Sequence, residues 1–217
     1  MKEQGDFNPY VNNGGTVVAA VWNNCAVIAA DTRLSVGYTI HTRNCSKLKK
    51  LTDTCVLGTA GMQADMMALH SALERQIEAY RYANHKEPGI RVIAQLLSTI
   101  LYSRRFFPYY TFNILCGVDE MGNGVTCGFD ALGNYGFESH MAKGTGASLV
   151  TSILDNHLTS QNQQIREDVK SLEELINIVK GAITSAVERD IYTGDCAEVI
   201  VVDSIVHEPI RMPMRND

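Results

Sequence analysis

The 217-residue sequence contains no long uninterrupted apolar segment, and none of its hydrophobic runs approaches the roughly 18 residues that a membrane-spanning helix requires. The first fifteen residues, MKEQGDFNPYVNNGG, also lack the apolar stretch of a secretory signal peptide. A formal net charge of −5 offers no basic surface to a nucleic acid backbone. We therefore expect neither a membrane nor a nucleic acid as partner.

The six cysteines form no CxxC pair, and the six histidines are scattered without the spacing of metal ligands. The sequence therefore predicts no zinc site, and nothing in it indicates a cofactor. Four of the cysteines lie in apolar runs typical of strands. We interpret all six as reduced thiols of an intracellular protein. The cysteines are Cys25, Cys45, Cys55, Cys116, Cys127 and Cys196.

The chain is long enough for one domain with its own core, and its most informative segment reads GGTVVAAVWNNCAVIAAD (14–31). Two β-rich runs flank the central Asn-Asn pair, and Asn tolerates the positive φ that a two-residue hairpin turn needs. Counting outward from this turn places Trp22 opposite Cys25 and Thr16 opposite Asp31. The near-continuous apolar character of both runs predicts a sheet that is covered on both faces.

Downstream of this hairpin, the spacing of apolar residues changes to that of helices and back to that of strands. This order suits an α+β domain in which two sheets pack face to face between two helix layers, an αββα sandwich. A generic α+β domain fits the same periodicity. The expected helices cover 62–82, 90–105, 147–158 and 171–189, the last starting at a Ser171/Glu174 capping box. The expected strands cover 38–42 and 47–51 as one ribbon, then 54–59, 110–117, 125–130, 135–142, 197–203 and 204–211.

The polar, Asn-rich N-terminus is expected to differ from the rest of the chain. Residues 1–15 carry a proline and a glycine pair, which indicates an extended arm that lies on the body of the protein. Residues 16–217 are expected to form the single domain, with a polar surface loop over 159–170.

Five segments of the sequence are informative together: NGGTVVA (13–19), AADTRLS (29–35), YTIHTR (38–43), LLSTILYSRRFFPYY (96–110) and ERDIYTGD (188–195). They resemble the proteasome beta subunits, and most closely a non-catalytic member of that group. The resemblance implies the N-terminal-nucleophile hydrolase fold, a four-layer αββα sandwich, in a stacked four-ring particle that degrades proteins. Other alpha and beta subunits are then the partners, unfolded polypeptides the substrates, and cytoplasm and nucleus the location.

The resemblance also implies a site. In active members, an N-terminal Thr is the nucleophile, and an Asp and a Lys hold and activate its hydroxyl. These two residues fall on Asp31 and Lys47, whereas the nucleophile position falls on Gly15 and the next position on Thr16. The residues expected to support the amine are Thr145, where active members usually have Ser, Asp190 and Thr193.

The shift of the hydroxyl by one residue has a physical consequence. Side chains alternate between the faces of a strand, so Thr16 directs its hydroxyl to the other side of the sheet from position 15. The nitrogen of Thr16 is also acylated by Gly15 unless the chain is cut there, and an amide cannot act as a base. We therefore expect a relict, non-catalytic site in which Asp31, Lys47 and Asp190 persist as one buried polar cluster.

Two enzymatic alternatives remain open at this point. The first is a threonine protease in which cleavage after Gly15 exposes Thr16 as the nucleophile. The second is a small-molecule amidase of the same fold that acts through Cys25 or Cys45.

Two further features concern contacts with neighbouring subunits. In the family, a residue at the end of a strand completes the substrate pocket of the adjacent subunit, and that position resembles Asp130. An Asp that caps the Gly133-Asn134 turn is the other interpretation. The aromatic residues that follow Arg104-Arg105 are more numerous than one helix end needs, and we expect part of this cluster to pack on a neighbour. They are Phe106, Phe107, Tyr109 and Tyr110.

Overall fold

The structure, a computed structural model, describes residues 8–159 and 169–216. Within these residues, the strands form two five-stranded antiparallel sheets and one two-stranded ribbon. The helices are α1 (Gln63–Asn84), α2 (Ile90–Ser103), α3 (Ala147–Leu154) and α4 (Leu172–Val187). The strands are β1 (Thr16–Trp22), β2 (Cys25–Asp31), β3 (Leu34–Val36), β4 (Thr39–Thr42), β5 (Leu48–Thr52), β6 (Cys55–Gly61), β7 (Thr111–Val118), β8 (Gly124–Phe129), β9 (Tyr135–Glu138), β10 (His140–Gly144), β11 (Cys196–Val202) and β12 (Ile210–Pro213).

Strands β1 and β2 form the hairpin that the sequence predicts, with Trp22 opposite Cys25 and Val18 opposite Ala29. In the turn, Asn23 has a φ of +49°, a conformation that Asn tolerates better than most residues. Successive side chains of β1 enter different core clusters on the two faces of the sheet. This explains why nearly every position of the hairpin is apolar.

Each five-stranded sheet packs against its own pair of helices. The first sheet, in the order β10-β1-β2-β11-β12, packs against α3 and α4, and the second, in the order β5-β6-β7-β8-β9, packs against α1 and α2. A third cluster of buried side chains takes members from both sheets and joins them. Its larger members are Val17, Ile28, Ile200 and Val202 from the first sheet and Val56, Ile114, Cys116 and Val118 from the second.

Helix α4 begins at the predicted capping residue. The Ser171 hydroxyl accepts a hydrogen bond from the Glu174 N–H at 3.2 Å, and the Glu174 carboxylate accepts one from the Lys170 N–H at 2.7 Å. Both contacts satisfy N–H groups that lack partners within the helix. Most of the predicted loop over 159–170 lies outside the described residues. The buried face of the helix consists of Leu175, Val179, Ala182, Ile183, Ala186 and Val187.

The predicted ribbon between residues 38–42 and 47–51 is wrong. Strand β4 instead pairs with β3 across a turn at Gly37, and β5 pairs with β6 across a turn that contains Asp53. Each strand therefore pairs with its nearest neighbour in sequence, an arrangement that costs little loop entropy. This pairing makes β5 an edge strand of the second sheet.

The predicted strand over 135–142 is two strands in different sheets. Strand β9 pairs with β8 in the second sheet, β10 pairs with β1 in the first, and the chain changes sheets at Ser139. No glycine or proline marks this crossing in the sequence. The predicted helix over 147–158 also changes character, because α3 ends at Leu154 and a π-helical turn, Asp155–Thr159, follows.

The predicted arm over 1–15 is described from residue 8 onward, and its last three residues are buried. Asn13 donates its side-chain N–H to the Ser35 carbonyl at 3.1 Å and accepts the Gln63 N–H at 2.8 Å. The end of the arm is therefore inserted into the body rather than laid on its surface. These contacts fix the chain immediately before position 15.

Candidate functional site

A side chain at position 15 would require Lys47 to move. Gly15 precedes β1 with a φ of +90°, and the side chain of Lys47 lies directly against it. A Cβ atom built at position 15 would lie 2.1 Å from Lys47 Cε and 3.0 Å from its Nζ. Real Cβ contacts are never this short, so a residue with a side chain would have to displace the lysine.

Lys47 is buried and its hydrogen-bonding capacity is used by backbone and carboxylate oxygens. Its ammonium group donates to the carbonyl oxygens of Asp31 at 2.9 Å and Arg33 at 2.7 Å. It also lies 3.2 Å from Asp31 Oδ2, with 3% of the lysine side chain and none of the aspartate side chain exposed. An ammonium group with three acceptors is held in place and is not directed at an attacking hydroxyl.

The Asp31 carboxylate accepts hydrogen bonds from several backbone N–H groups. Oδ1 accepts from Thr16 at 2.8 Å, and Oδ2 accepts from Arg33 at 3.1 Å and from Gly194 at 3.3 Å. Burial raises the pKa of Asp31, while the charge of Lys47 and the N–H groups of Thr16 and Gly194 oppose that effect. The cluster thus ties the start of β1 to the loop before β11.

The hydroxyl of Thr16 lies away from Lys47, as the alternation of side chains along β1 requires. Thr16 Oγ1 accepts the Gly146 N–H at 2.9 Å and lies 2.7 Å from Thr193 Oγ1. Because Thr193 donates its own proton to Asp190 at 2.6 Å, Thr16 is the donor in the Thr16–Thr193 contact. The hydroxyl is fully buried.

The residues expected to form a buried polar cluster, Asp31, Lys47 and Asp190, belong to two groups that Thr16 links. Asp31 and Lys47 form one group, and Asp190, which accepts the hydroxyls of Thr145 and Thr193, forms another. Thr16 joins the two groups through its nitrogen on one side and its hydroxyl on the other. The two groups are separate because the nitrogen and the side chain of Thr16 point in different directions from the strand, the nitrogen toward Asp31 and the hydroxyl toward Thr193.

An ion pair that the sequence did not predict supports this site. Arg33 binds Asp195 in a bidentate manner, with Nε at 2.8 Å and the second nitrogen at 3.2 Å, and Arg43 adds a further contact. Asp195 adopts a φ of +69° beside Gly194. Arg33 lies in AADTRLS and Asp195 in ERDIYTGD, two of the segments that carry the family resemblance. That shared resemblance was the one feature of the sequence that pointed to both residues.

Asp130 lies at the end of β8 and caps the turn that follows. Its Oδ1 accepts the N–H groups of Leu132 at 2.9 Å and Asn134 at 2.8 Å. The residue also lines an open cavity of about 390 Å³ between β9 and β10, together with Tyr135 and Lys143. The turn contact is thus present in this chain, and the role in a neighbour's pocket stays a prediction.

The two cysteines of the amidase alternative do not form an activated thiol. Burial raises the pKa of Cys25, with a smaller effect from Asp203, and burial likewise raises the pKa of Cys45. A thiol whose pKa is raised carries less of the nucleophilic thiolate at neutral pH.

The described residues, 8–159 and 169–216, contain neither a cluster of metal-ligating side chains nor a membrane-spanning helix. No group of three or more His, Cys, Asp or Glu side chains there is arranged to hold a metal ion. No helix in those residues is both long enough and apolar enough to cross a bilayer.

Most of the chain matches one protein family. The sequence profile described as "Proteasome subunit" matches residues 11–202. The chain belongs to the proteasome subunit family. Membership implies the N-terminal-nucleophile hydrolase fold, and the mixture of helices and antiparallel sheets is consistent with it.

Relatives within the proteasome family match over nearly the whole chain. A protein of Dictyostelium discoideum named "Proteasome subunit beta type-1" is 48% identical over 202 residues, which cover 92% of this chain and 86% of the relative. Proteins of the same name from Danio rerio and Oryza sativa subsp. japonica are each 42% identical, covering 97% and 100% of this chain and 90% and 100% of the relatives. The resemblance to proteasome beta subunits that the sequence motifs indicated is confirmed.

Proposed function

We propose that this chain is a non-catalytic structural beta subunit of the 20S proteasome core particle. It takes part in ATP- and ubiquitin-dependent protein degradation in the cytoplasm and nucleus, as a member of a hetero-oligomer of alpha and beta subunits. The family match over residues 11–202 and the relatives named beta type-1 support this proposal.

The proposed absence of catalytic activity rests on one observation: Gly15, the residue beside the Asp31–Lys47 pair, has no hydroxyl, and the side chain of Lys47 fills the space next to it. A nucleophile must lie within hydrogen-bond reach of its base, roughly 2.6–3.2 Å. Here the lysine that would activate a residue at position 15 fills that residue's place, with Cε only 2.1 Å from where a Cβ would be. The neighbouring hydroxyl of Thr16 contacts Thr193 and the Gly146 N–H instead.

The same residues then have a structural role. The Asp31–Lys47 group, the Asp190 group and the Arg33–Asp195 pair connect β1, β2 and the loop before β11 without an exposed nucleophile. We further infer a four-layer αββα arrangement over residues 16–217, which the three core clusters support. In this proposal, the domain built around the buried β1–β2 hairpin forms part of the wall of the proteolytic chamber.

Contacts with neighbouring subunits complete the proposed role. The chain contributes ring and ring-to-ring contacts, and unfolded polypeptides pass the chamber wall that it helps to form. Asp130 faces the substrate pocket of an adjacent active subunit, where its carboxylate favours polar or basic groups. Support for this last point is its partial exposure beside an open cavity.

A second candidate function is an active threonine endopeptidase with Thr16 as its N-terminal nucleophile after cleavage at Gly15. It is favoured by the position of the Thr16 nitrogen, which lies 2.8 Å from Asp31 Oδ1. Cleavage would release an amine next to that carboxylate. The hydroxyl, however, would remain on the far side of the strand from Lys47.

Native mass spectrometry of the complex purified through this chain tests the proposal. We expect a particle that contains this chain together with several different alpha and beta subunits. A homo-oligomer, or a stable monomer in cells that contain the other subunits, would contradict it.

A further inference from the structure

An exposed group of aromatic and cationic side chains lies at the C-terminal end of α2. Phe106 is 88% exposed and Tyr102 is 58% exposed, although both are large hydrophobic residues. Arg105 lies between them, with its guanidinium carbon 4.6 Å from the Tyr102 ring centroid and 4.5 Å from that of Phe106. We call Tyr102, Arg105 and Phe106 the arginine–aromatic surface.

The other aromatic residues of this region are used within the chain. Tyr10 of the N-terminal arm stacks on Phe107 with centroids 5.4 Å apart, and its hydroxyl donates to the Pro108 carbonyl at 2.7 Å. Tyr10 also contacts Tyr110 at 5.8 Å. From residue 8 onward, where the structure describes it, the arm contacts the inner part of the aromatic cluster and does not cover the arginine–aromatic surface.

The cations of this region have no acidic partner in the part of the chain that the structure describes. Arg105 donates to the Tyr102 carbonyl at 3.4 Å, and Arg104 lies 5.6 Å from the Tyr109 ring centroid, but neither forms an ion pair there. Other exposed cations do find carboxylates, as Lys49 does with Glu74 at 2.7 Å. Stacking on the rings holds the Arg105 guanidinium in a fixed orientation while its outer N–H groups stay available.

We propose that the arginine–aromatic surface binds an acidic segment of a neighbouring protein subunit, with a carboxylate paired to Arg105 and an apolar side chain against Phe106. Aromatic residues and arginine are the residue types enriched at the centre of protein interfaces, and a preorganised guanidinium binds carboxylates in a bidentate manner. Two cations in a chain of net charge −5 are too few to hold a nucleic acid backbone. This inference rests on the proposed assembly into a multi-subunit particle.

A zero-length carbodiimide cross-link tests the contact directly, because it joins an amine to a carboxylate only when they touch. The experiment uses the assembled particle containing the Arg105→Lys variant, which keeps the charge and adds a reactive amine. Tandem mass spectrometry then identifies the partner peptide. The Lys49–Glu74 pair, whose atoms are 2.7 Å apart, is the internal positive control within the same chain.

The expected result is a cross-link from position 105 to an Asp or Glu of a different subunit, present in the variant and absent from the wild type. Particles that form the Lys49–Glu74 link but none from position 105 to another subunit would overturn the inference. Binding of a fluorescent single-stranded RNA oligonucleotide that is lost in Phe106→Ala would also overturn it. If the chain does not enter a particle with other subunits at all, the proposed function itself fails, so the two failures are distinguishable.

A competition experiment supplies an independent readout. Wild-type and variant chains with different tags are co-expressed, and their ratio in assembled particles is measured. Arg105→Glu, which opposes an acidic partner, is expected to lower incorporation about tenfold, in the range of an interface hot spot. Restoration of incorporation by an Asp→Arg or Glu→Arg change at the cross-linked position supports the pair. Equal incorporation of Arg105→Glu and of the control Arg75→Glu, an exposed arginine on α1, would contradict it.

Discussion

Lys47 Nζ and Asp31 Oδ2 lie 3.2 Å apart in a site from which water is almost entirely excluded. Removal of one member leaves the other as an uncompensated buried charge, which typically costs about 3–5 kcal/mol. We expect Lys47→Met to destabilise the chain by about this amount and the double variant Asp31→Asn/Lys47→Met to recover part of the loss. Chemical denaturation of the purified chain measures both.

The exposed pair Lys49–Glu74 provides the control for that experiment. Its two side chains are 42% and 47% exposed, and such pairs contribute about 0–1 kcal/mol. Lys49→Met should therefore change the free energy of unfolding very little. Equal effects of the two lysine substitutions would show that the buried pair has no special role.

Substitution of Gly15 tests whether the site can be reactivated. Gly15→Thr places a hydroxyl-bearing residue at the nucleophile position, but the space is occupied by Lys47 and φ is +90°. We expect loss of stability and no labelling by a threonine-directed covalent inhibitor, even when the preceding residues are removed. An inhibitor adduct on the variant would contradict the steric argument.

A second glycine separates the steric clash from the cost of positive φ. Gly37 has a φ of +57° with nothing within 4 Å of an added Cβ, so Gly37→Ala carries only the conformational cost of about 1–2 kcal/mol. Gly15→Ala carries that cost and the clash with Lys47. Unfolding measurements should therefore rank Gly15→Ala as clearly more destabilising, and equal values would rule out a clash.

Protonation of the partly buried His70 should make the free energy of unfolding depend on pH. Its Nε2 lies 2.9 Å from Thr59 Oγ1, which donates to Asn113 Oδ1, so His70 must donate to Thr59 through Nε2–H. Burial, with a smaller contribution from Lys49, lowers the pKa of His70 from 6.5 to about 4. The folded state then binds fewer protons than the unfolded state between these values.

The stabilisation from neutral His70 is fully present above pH 6.5 and is lost as the pH falls toward 4. The total loss is about 3 kcal/mol, since one pKa unit corresponds to about 1.4 kcal/mol. Denaturation curves at several pH values should show this decline in the wild type and a smaller one in His70→Gln. Identical pH profiles would show that His70 does not titrate in this window.

Asp130 offers a pair of substitutions that separates its two roles. Asp130→Asn keeps an oxygen for the Leu132 and Asn134 N–H groups and removes only the charge, whereas Asp130→Ala removes both. If the carboxylate faces a neighbour's pocket, both variants should lower kcat/KM of the particle for basic peptide substrates by about threefold to tenfold. Unaltered peptidase activities in both variants would leave only the turn role.

Much of the fold follows from local patterns in the sequence. The hairpin from Trp22 to Cys25 and the start of α4 at Ser171 depend on turn and cap residues a few positions apart, and both predictions are confirmed. The change of sheet at Ser139 was not predictable in the same way. The crossing is determined by long-range pairing, of β9 with β8 and of β10 with β1. No residue with special backbone preferences marks it in the sequence.

The candidate site was likewise predictable only in part. The positions of Asp31 and Lys47 relative to Gly15 came from the family resemblance, and the structure brings all three together. The pairing of Arg33 with Asp195, 162 residues apart, is a long-range contact that spacing cannot reveal. The same holds for the Thr16 contacts, which depend on how the loop before β11 packs against β1.

The central claim is that no nucleophile operates in this chain, and its most direct test is intact-mass analysis of the purified complex after treatment with a threonine-directed covalent inhibitor. We predict that this chain keeps Gly15 ahead of Thr16 and gains no adduct, while active beta subunits in the same sample are labelled. A chain that begins at Thr16 and carries the inhibitor would contradict the account.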